Sequence, residues 1–249
     1  MKVFGLVAVF VVGLLLLSAT QDFPSWGNPR SAASDGEVSS FYIEKTEAVT
    51  KVPNMVTAVL ADFRGYDTMF ETVVIFIAGI GIIAVLRNFE GSDSSIDYDN
   101  DDNGAGLLAR FTCSLILPFI QIFALYVVAH GHHSPGGGFQ GGVMLGASYI
   151  LLALAFGLSK AKRIFSERRT MIFAAVGIFI YVGWGVLCLL LGGEFLNYSV
   201  LDSILPGDAM MARSYSMLVV EIGVAFTVTA IMFSMYSNLS TRGRLSKGL

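Results

Sequence analysis

Six stretches of this sequence are long and apolar enough to cross lipid, and that narrows the folds open to the chain. A spanning helix needs about 20 mostly apolar residues. Positions 3–19, 69–86, 107–129, 142–158, 171–191 and 212–235 meet or approach that length. Hydrocarbon offers no water to an unpaired backbone N–H or C=O, so each stretch must close its hydrogen bonds internally as a helix. The expectation is an all-α integral membrane protein with six transmembrane helices, grouped two plus four. Charged residues are only 14% of the 249 positions, against about a quarter in soluble domains. The net charge of -3 argues against nucleic acid as a partner.

The first stretch is the shortest. Lys2 precedes it and Ser18-Ala19-Thr20 ends it, so a secretory signal peptide stands as an alternative to a retained helix. Leu17 fits a cleavage site poorly. Orientation follows from the basic residues. Helix parity collects Lys2, Arg87, Arg110, Lys160, Lys162, Arg163, Arg168, Arg169, Arg242, Arg244 and Lys247 on one side. Arg30, Lys45, Lys51, Arg64 and Arg213 fall on the other. The positive-inside rule then puts both termini in the cytoplasm.

Two polar segments interrupt the apolar pattern. Positions 21–50, with Pro24, Gly27 and Pro29 near their start, read as an outer loop. Positions 90–104 carry Asp93, Asp97, Asp99, Asp101 and Asp102 and read as an acidic cytoplasmic linker. They lack the ordered ligand ladder and closing glutamate of an EF-hand. The chain thus divides into a two-helix front part (1–88), the linker (89–106), a four-helix part (107–239) and a basic tail (240–249). Cys113 and Cys188 each sit in an apolar run, as small buried hydrophobes rather than a disulfide or zinc framework.

All three histidines lie in "HGHHSPGGGFQGG", positions 130–142, between two spans. A phosphate loop would end in Gly-Lys-Ser/Thr after a strand, and neither is present. A zinc site could use His130, His132 and His133, but residues this close in a loop rarely converge, and no fourth ligand is near. No metal and no cofactor are expected. Pro135 fixes the chain's direction, and Gly136, Gly137 and Gly138, followed by Phe139, can form a tight or re-entrant turn. Gly138, Gly142 and Gly146 make small-xxx-small spacing, which lets helix backbones approach. His130 or His132 could also pass protons at the mouth of a path.

Acidic residues near or within the spans supply the other candidates. If Gly65 leads straight into a helix, Asp67 and Glu71 share a face and repel unless Arg64 pairs with one of them. Such a set suits cation passage, or equally a capped and dipole-favoured helix start. Glu221 stands nine residues into the last apolar stretch, near the bilayer middle by that count. A charge there costs about 2.5–3.5 kcal/mol on insertion scales, so it must be protonated, paired or in a wet cavity. An ion or proton site and an interhelical hydrogen bond are both open for it.

The glycine-rich stretch and the apolar helix after it resemble the signature of the MnhB family, which belongs to Mrp-type multisubunit Na+/H+ antiporters. Relatives of that family sit in membrane arms of energy-converting hydrogenases and sulfane reductases. The resemblance spans 107–239 and is most specific over Pro135 to Phe139. A second stretch, "VTAVLADFRGYDTMFET" at 56–72, is similar to a segment found at the C-terminal end of the large MnhA-type antiporter protein or in a separate small one. Asp62, Arg64, Asp67 and Glu71 stand in the matching places, while Met69-Phe70 replaces the commoner Leu-Gly. "EIGV" at 221–224 resembles an acidic-x-Gly stretch in the family's last helix. The chain therefore looks like a fusion of the two units.

The resemblance implies a non-catalytic membrane subunit of an antiporter exchanging H+ and Na+ across a prokaryotic cell membrane. Other subunits would be its partners, and the principal proton channels would lie in larger ones. It would contribute scaffold and part of an ion pathway, with Glu221, Asp67, Glu71, Arg64, His132, His130 and Asp62 as candidates. The alternative is a place in the membrane arm of a hydrogenase, sulfane reductase or related respiratory complex.

Overall fold

The computed structural model describes residues 2–31, 36–89 and 105–243. The acidic stretch 90–104, and Arg244 and Lys247 of the basic tail, lie outside the described residues. Nine α-helices appear among those described: α1 (Lys2–Ala19), α2 (Glu37–Thr50), α3 (Met55–Ala58), α4 (Gly65–Phe89), α5 (Leu107–Ala129), α6 (Gly138–Phe156), α7 (Leu158–Ile164), α8 (Glu167–Leu190) and α9 (Ala209–Ser240). No strand occurs among the described residues. Helices α1, α4, α5, α6, α8 and α9 contain spans of membrane length and apolarity. The protein is an all-α, multi-pass membrane protein.

Four spans begin three or four residues earlier than their apolar runs. The Ser166 side chain caps α8 by accepting from the Arg169 N–H at 3.5 Å. Asp208 caps α9, accepting from the Met211 N–H at 2.9 Å. Polar caps satisfy the free N–H groups of the first turn, so the helix starts before its lipid-compatible part does. Apolarity marks contact with hydrocarbon, whereas capping marks the helix itself.

The chain forms two compact units, Met1–Lys45 and Thr46–Leu249. The first holds α1, a 3-10 turn over Thr20–Asp22 and most of α2. Helix α2 gives the back of the polar segment 21–50 a regular structure. Pro24, Gly27 and Pro29 confine irregular backbone to the front of that segment. From Glu37 onward no Gly or Pro intervenes, and Glu37 lies in the first turn, where the helix dipole favours a negative charge. The packing boundary also departs from the sequence boundary near 88, because α4 packs in the second unit. Its Gly79 lies against Ile231 of α9.

In the second unit α9 is the buried centre. Val220, Val224, Val228, Ala230, Ile231 and Phe233 are almost fully covered. Helices pack in lipid by close fit rather than by expulsion of water, and glycines make that fit here. Gly138, Gly142 and Gly146 line one side of α6, facing Glu221, Ala225 and Met232 of α9 in turn. Where α8 meets α9, Gly177 lies against the Gly223 carbonyl and the Thr227 hydroxyl. Thr227 donates to the Ala174 carbonyl at 2.9 Å and Thr229 to the Gly142 carbonyl at 3.1 Å. These bonds tie α9 to both neighbours. A second cluster, with Tyr149, Phe165 and Phe233 in ring contact, closes the far end of the bundle.

A side chain at 177 would strike backbone that cannot move independently. Gly177→Val should force α8 from α9 and cost about 1–3 kcal/mol, the usual range for overpacking. Fluorescence-detected gel filtration of heated, detergent-solubilised protein should show an earlier loss of the monodisperse peak. An unchanged melting profile would refute the seam's importance.

Candidate functional site

Arg213, Met217 and Glu221 recur every four residues on α9 and therefore share one face. Helix α9 has 32 residues, about 48 Å at 1.5 Å per residue, more than the roughly 30 Å of hydrocarbon. Glu221 is level with the first residue of α6, since a Cβ on Gly138 would run into the Glu221 backbone carbonyl. From there α6 runs for 19 residues, about 28 Å, and α9 continues for a similar length. Glu221 therefore lies at the start of a membrane-length helix pair. A count from position 212 puts it near the middle of the bilayer, while the level of the α6 start puts it at one end of the α6–α9 contact.

The α5–α6 turn sits directly on Glu221, which is only 8% exposed. The Gly138 amide faces its carboxylate, as befits an acid at a helix N-terminus. Its other oxygen, Oε2, is buried with no hydrogen-bond partner. Gly137 has φ +135°, and a Cβ there would lie 2.6 Å from Glu221 Oε1, so both conformation and space require glycine. Gly136 packs on the Val127 carbonyl, the Gly137 N–H donates to that carbonyl at 3.2 Å, and Pro135 is exposed.

The three histidine rings take separate surroundings. His132 is buried, and its Nε2 lies 2.8 Å from the Ser214 carbonyl. A carbonyl only accepts, so Nε2 carries the hydrogen. Burial lowers the His132 pKa below its ordinary 6.5, against the opposing pull of the Ser214 bond. His130 is exposed and stacks on Tyr126 at 4.0 Å, and His133 is exposed. Among the described residues no three His, Cys, Asp or Glu groups are placed to hold a metal ion.

Residues 54–64 form a roof over this turn. Asn54 caps α3, accepting from the Val56 N–H at 3.1 Å. Its amide nitrogen lies 2.7 Å from the Gly131 carbonyl and 2.9 Å from that of Ser134. Thr57 also donates to Gly131 at 2.7 Å, and the Asn54 N–H donates to the His132 carbonyl at 3.0 Å. A π-helical turn follows over Val59–Phe63, and such turns often mark working sites. It presents Asp62 to Arg213, Nε to Oδ2 at 2.6 Å, with the Asp62 side chain only 6% exposed. Burial pushes the Asp62 carboxyl above its usual range even though Arg213 pulls it down. Arg213 also lies over the Phe63 ring at 5.6 Å. Arg64 pairs instead with Asp67, three residues on. Thr68 donates to the Leu60 carbonyl and Tyr181 of α8 to that of Gly65.

Between roof, turn and α9 is a cavity of about 250 Å³ whose lining includes Thr57, Thr68, Glu71, Gln140, Tyr181 and Glu221. A wider, more open groove beside it is lined by Asp67, Phe70, Glu71, Val74, Ile75 and Phe139. Glu71 and Phe139 border both spaces. Of the residues singled out from sequence, Glu71 and Glu221 meet in the cavity, and Asp67 and Glu71 in the groove. Asp62, Arg64, His130 and His132 line neither. Sequence reasoning missed Asn54, Thr57, Gln140 and Tyr181 and gave Arg213 no partner. Asn54 carries a legible helix-start signal; its bonds to a turn almost 80 residues away do not show in local pattern.

Fold and cavity together define a class: a multi-pass helical membrane protein with a buried carboxylate bordering a cavity. A family profile described as "Domain related to MnhB subunit of Na+/H+ antiporter" matches residues 108–234, just over half the chain. The chain belongs to that family. A second profile, MbhE, which describes one component of MBH, matches residues 30–103.

Among curated relatives, a probable K(+)/H(+) antiporter protein of the combined A/B type from Rhizobium meliloti is 25% identical over 67% of this chain and 18% of its own length. This chain thus spans under a fifth of that protein. The B-type component of the Na(+)/H(+) antiporter of Bacillus subtilis is 26% identical over 56% of this chain and 96% of its own. A chain of the membrane-bound sulfane sulfur reductase, an archaeal respiratory membrane complex, superposes with TM-score 0.65 at 25% identity, covering 94% of this chain and 97% of that one. A chain of the Mrp complex from Dietzia sp. DQ12-45-1b gives TM-score 0.67 at 24% identity, over 96% of this chain and 26% of that one; it speaks to fold alone.

Two outcomes test this geometry. Removing one member of a buried ion pair strands the other, at about 3–5 kcal/mol. Asp62→Asn or Arg213→Met alone should therefore lower thermal stability more than Asp62→Leu/Arg213→Met together. Additive losses would show that the pair does not hold the roof. For His132, a folded pKa below 6.5 means stability present above about pH 6.5 and lost as pH falls through the lower folded value. Hydrogen exchange over the α5–α6 turn, corrected for intrinsic rate, should rise from pH 7 to pH 5 in the wild type but not in His132→Gln. Equal rises in both would rule His132 out as the cause.

Proposed function

We propose that this chain is a non-catalytic membrane subunit of a multisubunit Mrp-type Na+/H+ antiporter. It contributes scaffold and a short part of the cation/proton path, running from the Asp67–Glu71 groove past Phe139 to Glu221. The observation that carries this is a buried carboxylate with an unpartnered oxygen, whose side chain borders a largely apolar cavity, within the part of the chain matched by the MnhB-related profile. An acid held there at the cost of desolvation is a functional group by default in a membrane span. The bias of basic residues supports cytoplasmic termini and an outward-facing cavity. The lipid-compatible surfaces of α4 and α5, with Val74, Ile77, Phe119 and Ile122 exposed, leave room for neighbouring subunits and bilayer.

In this reading Asp62 with Arg213, and Arg64 with Asp67, hold the roof in shape, while His132 fixes the turn. A second reading places the same protein in the membrane arm of a redox-driven respiratory complex. It is favoured by the near end-to-end coverage of the sulfane reductase chain. Both readings use the cavity in the same way. They differ in what drives the ions, and the proteins that co-purify with a tagged copy of this chain distinguish them.

The functional test is Glu221→Gln in the assembled complex, reconstituted into vesicles. Na+-dependent proton flux should fall by about a hundredfold or more, comparable with the loss of one essential proton-transfer group, with the composition of the complex unchanged. Wild-type flux through the intact variant complex would reduce the chain to a scaffold.

A further inference from the structure

The cavity is lined mainly by apolar groups, among which Thr57, Thr68, Glu71, Gln140, Tyr181 and Glu221 supply the polar ones; of these, Glu221 has the least satisfied side chain. Its Oε2 is buried without a partner. The Gly138 amide serves the other side of the carboxylate. Burying an ionised carboxylate without a neutralising partner is expensive, and no basic side chain lines the cavity. Arg213, two turns away on the same face, is already paired with Asp62. His132 is turned to the Ser214 carbonyl. Either a proton or a cation must therefore neutralise Glu221.

The surroundings suit a hard monovalent cation. The side-chain amide oxygen of Gln140 and Glu221 Oε1 both lie near the same point beside Gly137, 3.5 and 2.6 Å from where a Cβ would stand. The hydroxyl oxygens of Thr57 and Thr68 line the same space. Each donates its hydrogen to a carbonyl, Thr57 to Gly131 and Thr68 to Leu60, and Thr57 also accepts from the Asn54 side-chain amide at 3.0 Å, so each oxygen has lone-pair density left to offer a cation. Oxygen donors of this kind are what hard cations prefer. A volume of about 250 Å³ admits a cation with several waters, at about 30 Å³ each. A divalent ion would demand more carboxylates than the single buried one here.

We propose that Glu221, with Gln140 and the Thr57 and Thr68 oxygens, forms a site for a partly hydrated alkali cation, which displaces the proton from that carboxyl. This deepens, and rests on, the ion-path reading above. The exchange balances as it stands: the O–H bond of the acid breaks, the proton leaves to water in the cavity, and the carboxylate accepts Na+. One group thus holds either H+ or Na+, never both. Other ionisable groups share the cavity lining from α4 (Glu71) and α8 (Tyr181), while Asp62 of the roof is held by Arg213. The α5–α6 turn and α6 present amides and Gln140. Glu71, at the junction with the groove, is the one further carboxylate in the cavity lining, placed to receive the released proton or pass the cation.

The test uses the purified, assembled complex in weakly buffered detergent. NaCl is added, with choline chloride as the control, and released protons are followed with a pH dye. Infrared difference spectra monitor the protonated carboxyl band. Na+ should release protons and bleach that band, choline should not, and the Glu221 part of both signals should vanish in Glu221→Gln. If Glu221→Gln loses flux but keeps the full Na+-specific release and bleach, Glu221 carries protons alone; the cation site is overturned and the ion-path reading stands. If the variant keeps both flux and release, both fall. Should Glu221→Gln fail to assemble, Glu221→Asp decides. Its shorter reach should shift the Na+ midpoint of release by about tenfold, and an unshifted midpoint overturns the site.

Discussion

A carboxylate buried on a membrane helix must be answered by what surrounds it, and the second unit of this protein is arranged around that demand. Glu221 is carried on α9, the helix against which α4, α6 and α8 all pack. The start of α6 brings an amide to the acid, and the turn before it brings close-packed glycine backbone. Oε2 is left without a partner, packed toward Gly131, and the Glu221 side chain borders a cavity. Filling every valence with protein donors would have made a structural hydrogen bond. Leaving one open is what the proposed ion or proton site rests on.

That arrangement depends on how closely backbones approach. Any side chain at Gly137 or Gly138 would occupy the space of the carboxylate or its main chain. The glycines spaced by four along α6, and Gly177 on α8, continue the contact down α9. Close approach also brings threonine hydroxyls within reach of neighbouring carbonyls. In lipid, where burial of apolar surface does not discriminate helix–helix from helix–lipid contact, such fits hold the bundle.

The front of the second unit completes the cavity rather than forming a module apart. Asn54 and Thr57 hold the Gly131 carbonyl, Asp62 holds Arg213, and Tyr181 reaches Gly65. These links join residues that match two separate family profiles, 30–103 and 108–234. The polar side chains of the cavity lining come from both: Thr57, Thr68 and Glu71 from one, Gln140, Tyr181 and Glu221 from the other. Covalent fusion of the two segments in one chain agrees with a site that neither supplies alone.

Much of the architecture was legible because lipid imposes a simple rule on sequence. Six apolar runs became six membrane-length helices, and the spacing of Gly138, Gly142 and Gly146 fell on the α6–α9 seam. Helix starts and α2 were less legible, since capping and propensity act on polar residues that hydropathy passes over. Glu221 and Glu71 stood out as acids in apolar surroundings, a local property. Residue type and spacing thus determined the spans, the flexible glycine turn and the presence of costly acids. Only the tertiary structure decided which acids meet. Asp62 has Arg64 as a sequence neighbour, but the π-helical turn aims it 151 positions along the chain at Arg213, while Glu71 comes to line the same cavity as Glu221. Pairing across helices is set by the relative rotation and height of packed elements, and those are properties of the assembled bundle rather than of any one segment.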